Sequence, residues 1–217
     1  MQNEEVRKYY DILKKRKSAL VFKRAFDVIM SAILIIFLLP LLIMIYLIIK
    51  LDSKGGAIFK QKRVTKGGKI FSVFKFRTMV INAENLGPSV TSGEDVRVTK
   101  CGKWLRKLRL DELPQLFNIL TGDLSFVGVR PEVPKYVLCY TPEMNATLLM
   151  PAGVTSMTSI LYKNESQLLE NSSDTESTYI NEILPQKMKY NLEYIKNFGF
   201  WYDLKIMIRT VFAVIKK

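Results

Sequence analysis

The chain has 217 residues, with 33 Lys and Arg against 20 Asp and Glu, a formal charge of +13, and no histidine. Without an imidazole there is no Ser-His-Asp or Cys-His nucleophile and no His-ligated zinc or haem iron, so any catalysis must rest on carboxylates, Lys, Arg, Tyr, hydroxyls or an oxygen-bound cation. Two cysteines, Cys101 and Cys139, are too few for a Cys₄ metal site or a stapled secreted scaffold, which points to reduced thiols.

Residues 1–24 are basic, with eight cations against three acids, a net of +5 that leaves +8 for the remainder. From Val28 to Ile49 the sequence runs for 22 residues without a charge, enough at about 1.5 Å per residue to cross a ~30 Å hydrocarbon core. The run is too long for a secretory signal and no small-residue cleavage site accompanies it. A spanning helix would put one basic flank outside, against the tendency of short Lys/Arg-rich flanks to stay cytoplasmic, whereas a re-entrant hairpin keeps both on one side. Pro40 supplies a break near the middle, since it lacks an N–H and clashes with the carbonyl of Ile36. Two half-helices that dip into one leaflet are therefore expected, with a spanning helix kinked at Pro40 as the alternative.

Ile58–Val64 and Ile70–Arg77 read as two strands joined by a Gly-Gly turn. Alternation places Phe71, Val73, Lys75 and Arg77 on one side, so the second strand ends by projecting two cations together. A polar, turn-rich loop occupies 82–98, and Lys100–Arg109 follows as a basic helix whose cationic face suits anions.

Leu110–Gly122 reads as a short helix with Asp111 as its N-cap, Pro114 tolerated in the first turn and Gly122 as terminator. An Asp cap followed by a Glu is an ordinary way to complement a helix dipole. The context adds a second reading, because this pair follows a cationic helix and precedes a Gly/Pro-shaped turn over Phe126–Pro131 that presents Arg130. A carboxylate ringed by Arg and Lys at a helix N-terminus is where a phosphoryl group would bind and be attacked. Asp111 would be the nucleophile, Glu112 could hold a hard divalent cation through oxygen, and Lys75, Arg77, Arg106 and Arg130 would neutralise phosphates.

Residues 164–186 contain five acids and no Lys or Arg. They read as a solvent-facing stretch away from an anionic membrane, with a lid over the site as the other reading. Phe198–Lys217 is a helix rich in Trp, Phe and Ile, suited to lying at a membrane interface, to packing on the core, or to both.

These motifs together resemble the small monotopic phosphoglycosyl transferases, bacterial sugar transferases that prime glycan assembly. The resemblance runs from about Phe22 to Lys216. It begins at Lys23, Arg24 and Asp27, passes through the Pro-broken apolar segment to Phe59, Gln61 and Arg63, and continues in Lys75-Phe-Arg-Thr-Met79. Asp95-x-Arg97-x-Thr99, Leu110-Asp-Glu-Leu-Pro-Gln115 and Gly122-Asp-Leu-Ser-Phe-Val-Gly-Val-Arg-Pro131 follow in the family's order.

The resemblance implies transfer of a sugar 1-phosphate from a UDP-sugar to a polyprenyl (undecaprenyl) phosphate, through a covalent phosphosugar on Asp111 with Mg²⁺ held by Glu112. It carries substrate-binding roles onto Lys75, Arg77, Asp95, Arg97, Arg106, Gln115, Arg130 and, weakly, Lys163. It implies bacterial inner-membrane lipids as partners, with the catalytic domain on the cytoplasmic face, and it allows a homodimer. Several positions depart from the pattern. Val129 stands where Pro is common, Leu39 where Ser often precedes the membrane Pro, Met157-Thr-Ser where Trp-Ala-Gln is usual, and Lys163 where an Arg is usual, with loss of bidentate geometry at the last.

The expected architecture is an α+β monotopic protein. It comprises a basic segment (1–24), a re-entrant helix-break-helix (25–50), a cytosolic catalytic domain with a small antiparallel sheet (51–197) and an interfacial helix (198–217). A non-catalytic adaptor whose basic face holds anionic lipids is the rival reading. Nucleic acid is not expected as a partner, because the charge lies beside an apolar segment and the aromatics follow strand alternation with no evident stacking platform.

Overall fold

The computed structural model describes residues 3–83, 95–163, 165 and 174–215. Helix α1 (Glu4–Lys15) is capped by Asn3, whose side chain accepts from the Glu5 amide, and it buries Tyr9 and Leu13. The basic segment is thus folded onto the core, since both side chains join the cluster of Val127, Met150, Ile195 and Ile206.

Helix α2 runs from Lys17 to Asp52, 36 residues, or about 54 Å. It passes through Pro40 without interruption, so the expected division into two half-helices is not what forms. Proline removes only one intrahelical donor. The residues around it are held by packing: Leu34, Ile35 and Leu38 lie against Phe71, Val73, Leu116 and Ile119, and Leu42, Ile45 and Ile49 against Phe76 and Leu105. The expected boundaries at 24/25 and 50/51 consequently fall inside one helix.

The hairpin of β1 (Ile58–Val64) and β2 (Ile70–Phe76) is antiparallel, with Ile58 opposite Phe76 and Val64 opposite Ile70. Gly67 and Gly68 take positive φ in the turn, as the Gly-Gly reading requires. Phe71 and Val73 bury on one face and Phe76 on the other, so the strand is sandwiched between two clusters.

Beyond the basic helix α3 (Lys100–Lys107) and helix α4 (Gln115–Thr121) come β3 (Leu124–Val127) and β4 (Ala152–Thr155). These last two pair in parallel, so the end of β3 occupies part of the turn expected over Phe126–Pro131, and β4 was not anticipated as a strand. Between them lie the short α5 (Pro134–Val137) and a 3₁₀ segment over Met144–Leu149. After β4 come α6 (Met157–Leu161), α7 (Thr175–Thr178), a π turn at Tyr179–Ile183, α8 (Leu184–Asn197) and α9 (Phe200–Ile215). Part of the acidic stretch lies outside the described residues. Of its described acids, Asp174, Glu176 and Glu182 are exposed, while Glu165 pairs with Lys187.

The parallel pair depends on two glycines. A Cβ on Gly153 would lie 2.1 Å from the Gly128 amide nitrogen and 2.6 Å from its Cα, closer than any side chain can sit. Gly153→Ala is therefore expected to cost about 2 kcal/mol or more by forcing β3 and β4 apart, visible as a lowered midpoint in thermal unfolding of detergent-purified protein.

Helix α9 both packs and exposes apolar surface. Ile206 is 1% exposed, whereas Trp201 is 77% and Phe212 59% exposed. On α2, Ile36, Phe37 and Leu51 are open in the same way. Together these helices carry an apolar face that water does not favour.

Candidate active site

Asp111 does not cap a helix. It sits in a 3₁₀ turn over Leu110–Glu112, preceded by Arg109 in the left-handed region at φ 57°, and α4 begins only at Gln115. The turn is held at both ends. On the incoming side, α3 is capped by Thr99, which accepts from the Gly102 amide at 3.0 Å. On the outgoing side, α4 is fixed to the hairpin by Asn118, which accepts from the Phe74 amide at 2.9 Å and donates to the Ser72 carbonyl at 2.8 Å. Arg24 of α2 donates to the C-terminal carbonyls of α4, Ile119 at 2.6 Å and Leu120 at 2.9 Å, and Gly122 closes the helix with φ 91°.

This arrangement sets the turn beside the end of β2. The Lys75 ammonium lies 3.1 Å from Glu112 Oε1, and Arg109 Nη1 lies 3.9 Å from the same oxygen. Asp111 Oδ1 is buried and has no hydrogen-bond partner. Burial first, then the adjacent Glu112 charge, raise the Asp111 carboxyl above its ordinary range, against the pull of Lys75, Arg109 and Arg106. Glu112 goes the other way. Burial would raise it, but Lys75, then Arg130 and Arg109, outweigh that and leave it below its usual value. Two neighbouring carboxylates are thus pushed apart: Glu112 stays ionised inside a cationic ring, while Asp111 is the more basic of the two and keeps one oxygen free of hydrogen bonds. Such an oxygen, freed of hydrogen bonds and faced by cations, is disposed to attack an electrophile bearing negative charge.

Residues 18–217 match the profile of the family described as bacterial sugar transferase. The chain belongs to that family. Among its relatives is the UDP-glucose:undecaprenyl-phosphate glucose-1-phosphate transferase of Caulobacter vibrioides. It is 37% identical over 194 residues, covering 87% of this chain and 68% of the relative. The UDP-N-acetylgalactosamine-undecaprenyl-phosphate N-acetylgalactosaminephosphotransferase of Aeromonas hydrophila is 34% identical over 196 residues, 89% of this chain and 43% of the relative. The UDP-glucose:undecaprenyl-phosphate glucose-1-phosphate transferase of Klebsiella pneumoniae is 36% identical over 197 residues, 89% and 40% respectively. The chain thus spans well under half the length of the last two.

For this bacterial sugar transferase, the cationic residues singled out in the sequence divide into two groups. Lys75 and Arg130 act on Glu112, and Arg106 acts on Asp111 while donating to Thr78 Oγ1 at 2.8 Å. Arg77 is placed elsewhere. Its guanidinium donates to the Ser53 carbonyl and hydroxyl, both at 2.9 Å, and to the Lys54 carbonyl, so it caps the C-terminus of α2. Alternation alone did not reveal this, because the guanidinium just past the end of β2 is drawn to the backbone that follows α2.

Asp95 and Arg97 engage one another at 2.6 Å, and the Arg97 hydrogen bonds hold the Asp95 carboxyl down to about 2. Arg97 also donates to the Ala83 carbonyl at 3.0 Å. The pair therefore braces the chain before α3. Gln115 is buried at the first turn of α4. Lys163 is exposed just beyond α6. Among the described residues no cluster of three or more acids and cysteines offers a ready-made metal site.

Ser156 and Ser159 were not among the expected site residues, although Ser159 ends the Met157-Thr-Ser departure noted above. Arg130 Nη1 donates to Ser159 Oγ at 2.9 Å, and the two serine hydroxyls are 2.9 Å apart. Ser156 also accepts from the Ser159 amide, capping α6. The loop carrying Arg130 is further held by Arg63, which donates to the Pro131 carbonyl at 3.2 Å, and by the bond from the Val64 amide to the Glu132 carbonyl at 3.0 Å. Ser159→Ala is expected to lower turnover several-fold with stability changed by about 1 kcal/mol or less, since one hydrogen bond to a charged group is lost and Arg130 regains rotamer freedom. Steady-state kinetics alongside thermal unfolding would separate the two effects.

Proposed function

We propose that the protein transfers a sugar 1-phosphate from a UDP-sugar to undecaprenyl phosphate, with Asp111 as nucleophile. The observation that carries this reading is the buried Asp111 oxygen without a hydrogen-bond partner, set among Lys75, Arg106 and Arg109. In the first step an Asp111 oxygen bonds to the sugar-bearing phosphorus of the donor. The bond from that phosphorus to the bridging oxygen breaks, and uridine monophosphate leaves with the electron pair. In the second, a phosphate oxygen of the lipid acceptor attacks the same phosphorus and Asp111 departs as carboxylate. No general base is required, which suits a chain without histidine.

Lys75 and Arg130 hold Glu112 ionised and stand ready to balance phosphate charge. Mg²⁺ binds through one or two carboxylates and completes its octahedron with water and substrate phosphates, so an adjacent Asp-Glu pair with one orphaned oxygen fits it. Glu112 would hold the ion, which would neutralise charge on the diphosphate. The names of the relatives include glucose and N-acetylgalactosamine donors, and the sugar used here is left to experiment.

The membrane seat belongs to the same reading. The aqueous domain packs along one side of α2 from Arg24 to Ile49, which leaves no stretch of ~20 residues free for lipid on all sides. That supports a helix whose outer face enters one leaflet from the cytoplasmic side and does not cross. It also keeps a soluble donor and a lipid acceptor within reach of one carboxylate.

The test is release of uridine monophosphate by the detergent-purified protein, supplied with Mg²⁺, undecaprenyl phosphate and a panel of UDP-sugars. Release with at least one donor is expected. No release from any donor would favour the membrane-surface adaptor.

A further inference from the structure

A cavity of about 310 Å³ lies between the first half of α2, β3 and the start of α9, at the lower end of the ~300–1,000 Å³ typical of ligand sites. Its wall is mostly apolar, built from Phe22, Phe26, Phe126, Val127, Phe200 and Met207. Phe22 and Phe200 meet edge to face at 5.7 Å and are 56% and 44% exposed. They form a rim that opens onto the apolar surface shared by α2 and α9. At the polar side the Lys23 ammonium and the Asp203 carboxylate are paired at 2.6 Å, with Tyr194 donating to the other Asp203 oxygen at 2.8 Å. Asp27, the third charged group of the lining, accepts from the Phe126 amide at 3.2 Å. Each charged group thus already has a partner in the wall, and with the rest of the lining apolar the cavity suits a hydrocarbon guest better than an ion.

Position selects the guest. Val127 in the wall is followed, three residues later, by Arg130 beside the catalytic carboxylates, a separation of at most about 11 Å along the chain. We infer that the cavity receives the phosphate-proximal isoprene units of the polyprenyl acceptor, with its phosphate held near Arg130; this rests on the transferase reading above. Flat aromatic walls suit the planar, branched double bonds of a prenyl chain. The rim lies where the remainder of that chain would pass into the membrane. A saturated acyl chain of a bilayer phospholipid would lack the tether to the active site that places a guest three residues from Arg130.

Two measurements test the assignment. Gly199 lines the cavity, and a Cβ there would meet no atom within 4 Å, so Gly199→Leu fills space without forcing the backbone. It is expected to raise the KM for undecaprenyl phosphate at least fivefold relative to the KM for the UDP-sugar; an unchanged ratio would overturn the inference. The second uses the unaltered protein with a diazirine-bearing polyprenyl phosphate, photolysed in detergent or nanodiscs. Labelled peptides should contain Phe126 or Met207. Labelling confined to the outer faces of α2 and α9, or a phospholipid that leaves on substitution while the acceptor KM stays fixed, would assign the cavity to bilayer lipid and contradict the proposal. Failure of the wild-type protein to release nucleotide with any donor would instead strike the transferase reading, and it would show before any variant is made.

Discussion

Asp111→Asn is expected to lower sugar-phosphate transfer by about 10⁶-fold, the scale on which loss of a catalytic nucleophile is felt, while leaving the folded protein intact. The amide keeps the shape of the carboxyl but cannot form the phosphosugar ester. Its effect on stability has a definite sign. A carboxyl whose value is raised in the folded state contributes stability that is full below its value in the unfolded chain and is lost as pH rises through the folded one. Asp111 is raised, chiefly by burial and by Glu112, so near neutrality its charge opposes folding. The variant should melt at the same temperature as the parent or higher, separating a chemical defect from a structural one. The same shift predicts an acid limb for activity. Turnover should fall on acidification as Asp111 protonates, with a midpoint above that of an ordinary Asp, while Glu112, held low by Lys75 and Arg130, remains ionised across that range. A pH profile of single-turnover nucleotide release would reveal it.

Lys187→Met is expected to produce the largest loss of stability. The Lys187 side chain is 2% exposed and its ammonium lies 2.9 Å from Glu132, whose side chain is 3% exposed. It also reaches the Tyr179 hydroxyl at 2.8 Å and Glu165 at 3.3 Å. Removing the ammonium leaves Glu132 charged and buried, a loss on the order of 3 kcal/mol, or roughly 6–12 °C in a domain of this size. Arg63 also acts on Glu132 and should keep the loss toward the lower end. Adding Glu132→Gln should restore much of the stability, because the stranded charge is then gone. Glu132 follows Arg130 by two residues, so Lys187→Met should also loosen the Arg130 loop and reduce turnover in the protein that remains folded. Thermal unfolding of the single and double variants, with activity measured in parallel, distinguishes these contributions.

Local chemistry made some of this legible in the sequence. Gly67 and Gly68 between two alternating apolar runs announced the hairpin, a charge-free run announced α2, and the order of motifs announced the family. What escaped notice depends on distant partners. Pro40 is a helix breaker by local rules, but packing against β2, α3 and α4 carries α2 through it. Strands β3 and β4 are four residues each and flanked by Gly or Pro, so nothing local separates them from turns; they exist because Gly128 and Gly153 let two backbones touch. Arg77 and Asp95 make contacts that type and neighbourhood did not reveal, with the C-terminus of α2 and with Arg97 respectively. Asn118 and Ser159, which align α4 and Arg130, carry no periodic or compositional mark at all. The Asp111–Glu112 pair was visible, but its 3₁₀ turn and orphaned oxygen were not.

Covalent attachment of the sugar phosphate to Asp111 can be read by intact-protein mass spectrometry. Protein incubated with its UDP-sugar and Mg²⁺, without acceptor, and quenched in acid should gain the mass of one sugar phosphate, mapped by peptide analysis to Leu110–Gly122. The adduct should be absent from Asp111→Asn and should disappear on addition of undecaprenyl phosphate. An active enzyme that releases nucleotide only when both substrates are present, and carries no adduct at any time, would rule out the Asp111 intermediate and require direct transfer between donor and acceptor.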